Sequence, residues 1–199
     1  MLLYDSPRSG NCYKVRLLLA HLGIPYERRF VDAVDRSNTR DELGSLNPTR
    51  RVPTLVLDDG RPLAESAAIL WYLGWGTRFV PEDRYESAKV LQWLSFELSE
   101  HQPALAFVRF LVTFTNRAGE LADRIAERTK AAHRALTVME RHLAERPFFV
   151  GDSFSLADIA LYAYTHIAHE ANIDLDAYPA VRGWLDRVAL VPGHVAIDA

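Results

Sequence analysis

The spacing of apolar positions divides the chain into two parts. Up to about residue 75, short apolar runs alternate with helical stretches; beyond residue 84 the helical period continues to the end. Leu2, Leu3 and Tyr4 form the first apolar run, and Asp5 to Gly10 a polar loop. Val15, Leu18, Leu19 and Leu22 then recur at helical spacing. Gly23 stops this helix and Pro25 blocks an early restart. Residues 24–31, IPYERRFV, read as a second strand one helix beyond the first, which makes a βαβ unit. A short irregular helix is expected near Thr39 to Ser45, and Asn47-Pro48 marks a turn. Thr54 to Leu57 and Arg61 to Ala64 read as strands joined by the hairpin signal Asp58-Asp59-Gly60. Glu65-Ser66 opens a helix that ends at Gly74. The order is β-α-β-α-β-β-α on one mixed sheet.

Gly76, Pro81 and a lapse in periodicity mark a linker, residues 76–83. A long helix is predicted from Arg84 with Ala88, Leu91, Leu94 and Leu98 on one face, bent or interrupted by Pro103. Phe107, Phe110, Leu111 and Phe114 continue it. Further helices are expected over residues 118–145, 156–170 and 178–190. Ser155 and Asp158 form a capping box, with Phe154 and Ile159 as a hydrophobic staple. Pro192-Gly193 closes the last helix. The expected domains are 1–75 and 84–199, the second all-helical.

Composition changes this picture little. Hydrophobic residues make up 49% and charged residues 25% of 199 residues, enough for a sizeable core without staples. Net charge is −3, so composition lends no support to a nucleic-acid partner. The first 80 residues hold eleven basic and nine acidic groups, the rest twelve and seventeen. Cys12 is the only cysteine, so no intramolecular disulfide forms. No signal peptide or membrane span is apparent, and a cytoplasmic location is expected. His133 with His142, or His166 with His169, are read as packing or surface residues rather than metal ligands, so no metal is expected.

Three segments of the first part carry candidate chemistry. Ser9 stands at a helix start, where a hydroxyl adjoins unpaired N–H groups and the positive end of the dipole. It is either a plain cap or part of an anion or thiolate site. Arg51-Val52-Pro53 precedes a strand. Val52 can lend its backbone to a peptide-like ligand, and the bond to Pro53 is cis or trans. Glu65-Ser66 opens a helix. Ser66 is a cap or holds a carboxylate; Glu65 is a dipole partner or pairs with an amino group. Arg36, Arg40, Arg50 and Arg51 are solvated surface or pair with a second carboxylate.

Residues 4–27, 47–73 and 149–163 (YDSPRSGNCYKVRLLLAHLGIPYE, NPTRRVPTLVLDDGRPLAESAAILWYL and FVGDSFSLADIALYA) resemble the cytosolic glutathione transferases, serine-type and bacterial-like. The resemblance covers nearly the whole chain. It implies a thioredoxin-like domain followed by a helical domain, with glutathione as co-substrate. It places Ser9 at the glutathione thiol, with Ser6 as competitor and Asn11 beside the same site. It gives the cysteinyl backbone to Val52 ahead of Pro53, the γ-glutamyl group to Glu65 and Ser66, and a less defined contact to Arg51. It puts a small apolar electrophile against Phe107, Phe110 and Phe114, and implies a homodimer. Isomerase, dehalogenase, peroxidase and disulfide reductase chemistry share the thiolate. A non-catalytic glutathione-binding or protein-interaction module is the reading of another class. Ser9-Gly-Asn-Cys12 has C-x-x-C spacing without the first Cys, which leaves Cys12 as a packing residue.

Overall fold

The structure is a computed structural model that describes residues 1–115 and 117–199. It divides into two units, Met1–Trp75 with Pro192–Ala199, and Gly76–Val191.

The first unit runs β1 (Leu2–Asp5), α1 (Gly10–Leu22), β2 (Glu27–Phe30), α2 (Thr39–Leu43), β3 (Thr54–Val56), β4 (Pro62–Ala64) and α3 (Ser66–Gly74). The strands lie in the order β2-β1-β3-β4, with β1 parallel to β2 and both other pairings antiparallel. This is the mixed thioredoxin-like sheet. β2 is shorter than the eight-residue run in the sequence, because Ile24, Pro25, Tyr26 and Val31 stay outside the ladder. Gly23 ends α1 at φ +64, where its N–H and that of Ile24 turn back onto the last carbonyls of the helix. On one side of the sheet Tyr4, Val31 and Leu43 pack together with Leu2, Leu46, Val52 and Val56. α1 and α3 pack on each other, burying Leu18, Leu19, Ile69 and Leu70.

The second unit contains α4 (Arg84–Phe96), a π-helical segment (Glu97–His101), α5 (Gln102–Phe114), α6 (Ala122–Leu143), α7 (Leu156–Thr165), a 3₁₀ turn (Ala168–Ala171) and α8 (Pro179–Ala189). Two sequence expectations change here, and one takes a specific form. The α-helix is interrupted as expected at Pro103: the π segment Glu97–His101 comes directly before it, and Pro103 sits in the first turn of α5. The buried face of α4 carries Val90, Trp93 and Leu94, whereas Leu91 and Leu98 are exposed. α6 begins at Ala122 rather than 118, and α7 ends at Thr165 before the separate 3₁₀ turn.

Asp158 organises the core of this unit. Its Oδ2 accepts from Ser155 N (2.9 Å) and Ser155 Oγ (2.8 Å). Its Oδ1 accepts from Phe149 N (3.1 Å) and Trp184 Nε1 (2.9 Å). Phe149 in turn meets Trp184 edge-on, with centroids 5.1 Å apart. The capping box read in the sequence therefore also ties a loop and a second helix to the start of α7. Among the described residues, no helix is long and apolar enough to cross a membrane.

Candidate functional site

Strand register brings the three candidate segments to one end of the sheet. Tyr4 pairs with Thr54, and Thr54 with Ala64. The chain therefore leaves β1 toward Ser9 beside the point where Val52-Pro53 enters β3, and beside the point where β4 hands over to Glu65-Ser66. Neighbouring strands lie about 4.8 Å apart, so the three segments start within roughly 10 Å of one another.

Ser9 is the N-cap of α1, with φ −76° and ψ 120°. Its Oγ accepts from Cys12 N at 3.3 Å, and its carbonyl accepts Tyr13 N at 2.9 Å. The Ser9 N–H is held by Ser6 O at 2.9 Å. Accepting that long bond leaves the hydroxyl proton for donation. Ser9 is half-buried, whereas Ser6 is buried, so Ser9 is the more accessible hydroxyl of the loop. Asn11 Oδ1 accepts from Lys14 Nζ at 2.8 Å, which directs the Asn11 amide N–H groups elsewhere. Lys14 is buried, an ammonium one hydrogen bond from Asn11.

The Val52–Pro53 bond is cis. The Val52 backbone joins neither the sheet ladder nor a turn hydrogen bond among the described residues. The preceding carbonyl, Arg51 O, accepts from Asn47 Nδ2 and Thr54 Oγ1, both at 2.9 Å. Asn47 and Thr54 are buried and bonded to each other at 3.0 Å. They brace the segment from inside. In the sequence Asn47 is visible only as part of a turn signal. The Arg51 side chain is exposed, as is Arg40, while Arg36 reaches Arg50 O at 3.3 Å.

At the third segment the N-cap of α3 is Glu65, not Ser66 as the sequence suggests. Glu65 adopts φ +69° and ψ 118°, and its side chain makes no cap bond. A non-glycine residue held there costs about 1–3 kcal/mol, a strain that concentrates at functional positions. The first intrahelical bond runs from Ile69 N to Glu65 O. The N–H groups before it are left over, and the Ser66 hydroxyl, on a buried residue, has no partner among the described residues. α1 has its cap filled by its own side chain; α3 presents an open one, suited to a carboxylate.

Sequence reasoning missed the charges beneath Ser9. Asp5, at the end of β1, is buried, and its Oδ1 takes Arg16 Nη1 at 2.5 Å. Its Oδ2 takes Arg28 Nε at 2.8 Å. Arg16 is 2% exposed although it lies where the helix pattern suggests a polar face. Cys12 is wholly buried, and burial first, then the charge of Asp5, push its thiol up to about 12. A thiol in that state is a poor nucleophile. We expect Cys12 in the native protein to resist a small alkylating reagent near neutral pH and to react fully after denaturation, measured by intact mass.

The aromatic residues predicted to meet an electrophile lie on α5. Phe110 and Phe114 stack with centroids 6.2 Å apart, and Phe110 is exposed. Phe107 lies under the guanidinium groups of Arg124 and Arg128, at 5.1 and 6.0 Å from its centroid. Arg109 pairs with Glu170 at 3.0 Å. His133 Nδ1 meets Tyr178 Oη at 2.9 Å and His142 Nε2 meets Phe149 O at 3.1 Å. No group of three His, Cys, Asp or Glu among the described residues is placed to hold a metal ion.

The fold has known counterparts. The glutathione S-transferase N-terminal domain matches residues 8–74, and the C-terminal domain matches residues 122–187. A glutathione S-transferase structure from Pseudomonas fluorescens superimposes with a TM-score of 0.95 at 41% identity, covering 98% of each chain. A disulfide-bond oxidoreductase of Escherichia coli, YfcG, is 30% identical over 96% of this chain and 90% of its own. A maleylacetoacetate isomerase of Dictyostelium discoideum is also 30% identical, over 97% of this chain and 90% of its own. With both domain matches in place and the sheet, helix starts and helical unit arranged as above, the chain belongs to the glutathione S-transferase family of glutathione-dependent enzymes.

Proposed function

We propose that the protein is a glutathione transferase that activates the glutathione thiol for attack on a small, mostly apolar electrophile. The observation that carries this reading is the convergence of an open helix start at Ser66, a free backbone at Val52 and an available hydroxyl at Ser9 along one end of the sheet. That set is complementary to a tripeptide with a carboxylate at one end and a thiol in the middle. The γ-glutamyl carboxylate takes the N–H groups and hydroxyl at Ser66, and its amino group meets Glu65. The cysteinyl backbone pairs with Val52 ahead of Pro53. Arg51 and Asn11 lie at the edges of the ligand. The thiol then reaches Ser9.

A free thiol has a pKa of about 8.5, so only a few per cent is thiolate at pH 7. Lowering it by about two units needs roughly 2.7 kcal/mol of preference for the charged form. Donation from Ser9 and the field at the start of α1 are suited to supply it. Ser9 acts as donor and does not attack. Phe107, Phe110 and Phe114 of the helical domain supply an apolar surface for the electrophile, and a homodimer is the assembly proposed.

A second reading is glutathione-dependent disulfide reduction, favoured by the likeness to the disulfide-bond oxidoreductase. The burial of Cys12 and its raised pKa then assign the attacking thiolate to glutathione rather than to the enzyme.

The test is retention on immobilised glutathione followed by turnover with an aryl halide and with a small disulfide. Conjugate formation supports the transferase, and disulfide reduction alone supports the second reading. Retention without turnover across a broad electrophile panel overturns both in favour of a binding module. Within this reading, Ser66→Ala is expected to raise KM for glutathione about 10-fold or more with little change in kcat. Ser66 holds a part of the ligand that does not change in the reaction, and one hydrogen bond to a charged group is worth about 1.5–3 kcal/mol.

A further inference from the structure

Residues Pro192–Ala199 belong to the first unit, and side chains of that unit hold them by their backbone carbonyls. His21 Nδ1 meets Pro192 O at 3.0 Å, which requires the proton on that nitrogen. The Tyr13 hydroxyl donates to Val195 O at 2.7 Å. Arg16 Nη2 donates to Ile197 O at 2.5 Å, and Arg28 Nη1 to Ala199 O at 2.7 Å. Three of these donors lie along α1 and the fourth on β2. The segment enters through Gly193, at φ +92°. A Cβ there would come within 3.0 Å of His21 Nδ1 and 3.3 Å of His21 Cα, so glycine serves both the conformation and the close approach.

Arg16 connects this segment to the site. The same Nη2 that reaches Ile197 O also donates to Pro7 O at 2.8 Å, inside the loop between β1 and Ser9. Nη1 holds Asp5, the last residue of β1. One buried guanidinium thus joins the strand end, the loop and the segment 192–199. Asp5 is held from the other side by Arg28, which itself grips Ala199 O. Water is kept from the Asp5–Arg16 pair, where exclusion of water strengthens attraction.

We propose that Pro192–Ala199 is a strap that fixes the β1–α1 loop, and with it Ser9, against the bound thiol, and that Arg16 is the positioning residue through which it acts. The inference rests on the role given to Ser9 above. Without the strap, the Asp5–Arg16 pair gains solvent, Pro7 loses its fixed donor, and the loop opens. Small displacements of a positioned donor cost large factors in rate.

Two variants test this: a chain stopped after Val191, and the full-length Gly193→Ala, which unseats the strap at its root. Two readouts apply to each. The first, without glutathione, is the labelling rate of Cys12 by a small thiol reagent, expected to rise about 10-fold or more as the loop opens locally. The second is the pKa of the bound glutathione thiol from thiolate absorbance, expected to rise by about one unit. A synthetic peptide PGHVAIDA added to the shortened chain is expected to reverse both. If Cys12 stays as protected as in the parent in both variants, the strap is overturned. If Cys12 opens and the bound thiol keeps its pKa, the positioning role is overturned. If the parent protein itself binds glutathione with an ordinary thiol pKa, the reading of Ser9 fails, and Cys12 labelling still decides whether the strap holds the loop. Should the shortened chain fail to fold, Gly193→Ala carries the same outcomes.

Discussion

Replacing Ser9 with Ala is expected to raise the pKa of enzyme-bound glutathione by roughly 1–2 units, the equivalent of one hydrogen bond to a charged sulfur at about 1.5–3 kcal/mol. From a parent value about two units below 8.5, the thiolate fraction at pH 7, and the rate of conjugation with it, then falls about 3- to 25-fold. KM for glutathione is expected to change far less, because the carboxylate and backbone contacts proposed at Ser66 and Val52 do not involve Ser9. Ser9 also caps α1, accepting from Cys12 N, so Ala carries a stability cost of about 1 kcal/mol as well. Two further variants separate cap from catalyst. Ser9→Thr keeps cap and donor, and its thiol pKa stays close to the parent value. Ser9→Asp keeps an efficient cap but has no proton to give and adds a negative charge beside the sulfur. Its stability is retained while its thiol pKa rises at least as far as that of Ser9→Ala. The measurement is thiolate absorbance of the binary complex across pH. An unchanged pKa in Ser9→Ala, or full activity in Ser9→Asp, would leave Ser9 as a cap alone.

The accessible parts of this site were legible in the sequence because they obey local rules. A hydroxyl before a helical period, a proline before a strand, and an acid–serine pair before an apolar helix are all visible in one dimension. Their meeting at one sheet end followed from the element order and is fixed by the register of Tyr4, Thr54 and Ala64. What stayed hidden depends on contacts far apart in sequence. Asp5 falls in the polar loop and Arg16 between the apolar positions of the first helix, yet both are buried and bonded to each other. Glu65 reads as a dipole partner, and nothing in its neighbours announces a positive φ. The α4 stripe was misplaced for a related reason. The buried stripe continues from Val90 and Leu94 on α4 through Glu97 and His101 of the π-helical segment to Leu105 and Val108 on α5, so two of its members are polar. His101 is bonded to Thr165 at 2.8 Å. A pattern drawn through apolar residues alone skips such members and settles on Ala88, Leu91 and Leu98. The strap was invisible altogether, since it is held through carbonyls, which every residue carries.

Asp158→Ala is expected to be the most damaging single change in the helical domain. It strands four donors at once: Ser155 N, Ser155 Oγ, Phe149 N and Trp184 Nε1. Each buried donor left unsatisfied costs about 1–3 kcal/mol, so the sum is at least about 4 kcal/mol. That is a large part of the ~5–15 kcal/mol that holds a typical domain together. The expected result is a chain that accumulates as aggregate or unfolds at much lower urea concentration, followed by the fluorescence of the buried Trp93 and Trp184. Asp158→Asn keeps one acceptor for Phe149 and Trp184 but turns an N–H toward Ser155 N, and falls between. pH separates the charge from the hydrogen bonds. Burial pushes the Asp158 carboxyl up to about 6, against an ordinary value of 3.8, with its four donors opposing the shift. The folded state therefore binds this proton at a pH where the unfolded chain has released it. The stabilisation from that proton is complete below about pH 4 and is lost as pH rises through about 6, on the order of 3 kcal/mol in all. Asn carries no charge at any of these values. The stability gap between the parent and Asp158→Asn should thus narrow from pH 4 to pH 7, read from urea midpoints at each pH. A gap that widens over that range would mean that the four donors outweigh burial and hold the carboxylate ionised well below pH 6. An unchanged midpoint in Asp158→Ala would mean that Phe149, Ser155 and Trp184 find other partners, and that the start of α7 does not depend on this carboxylate.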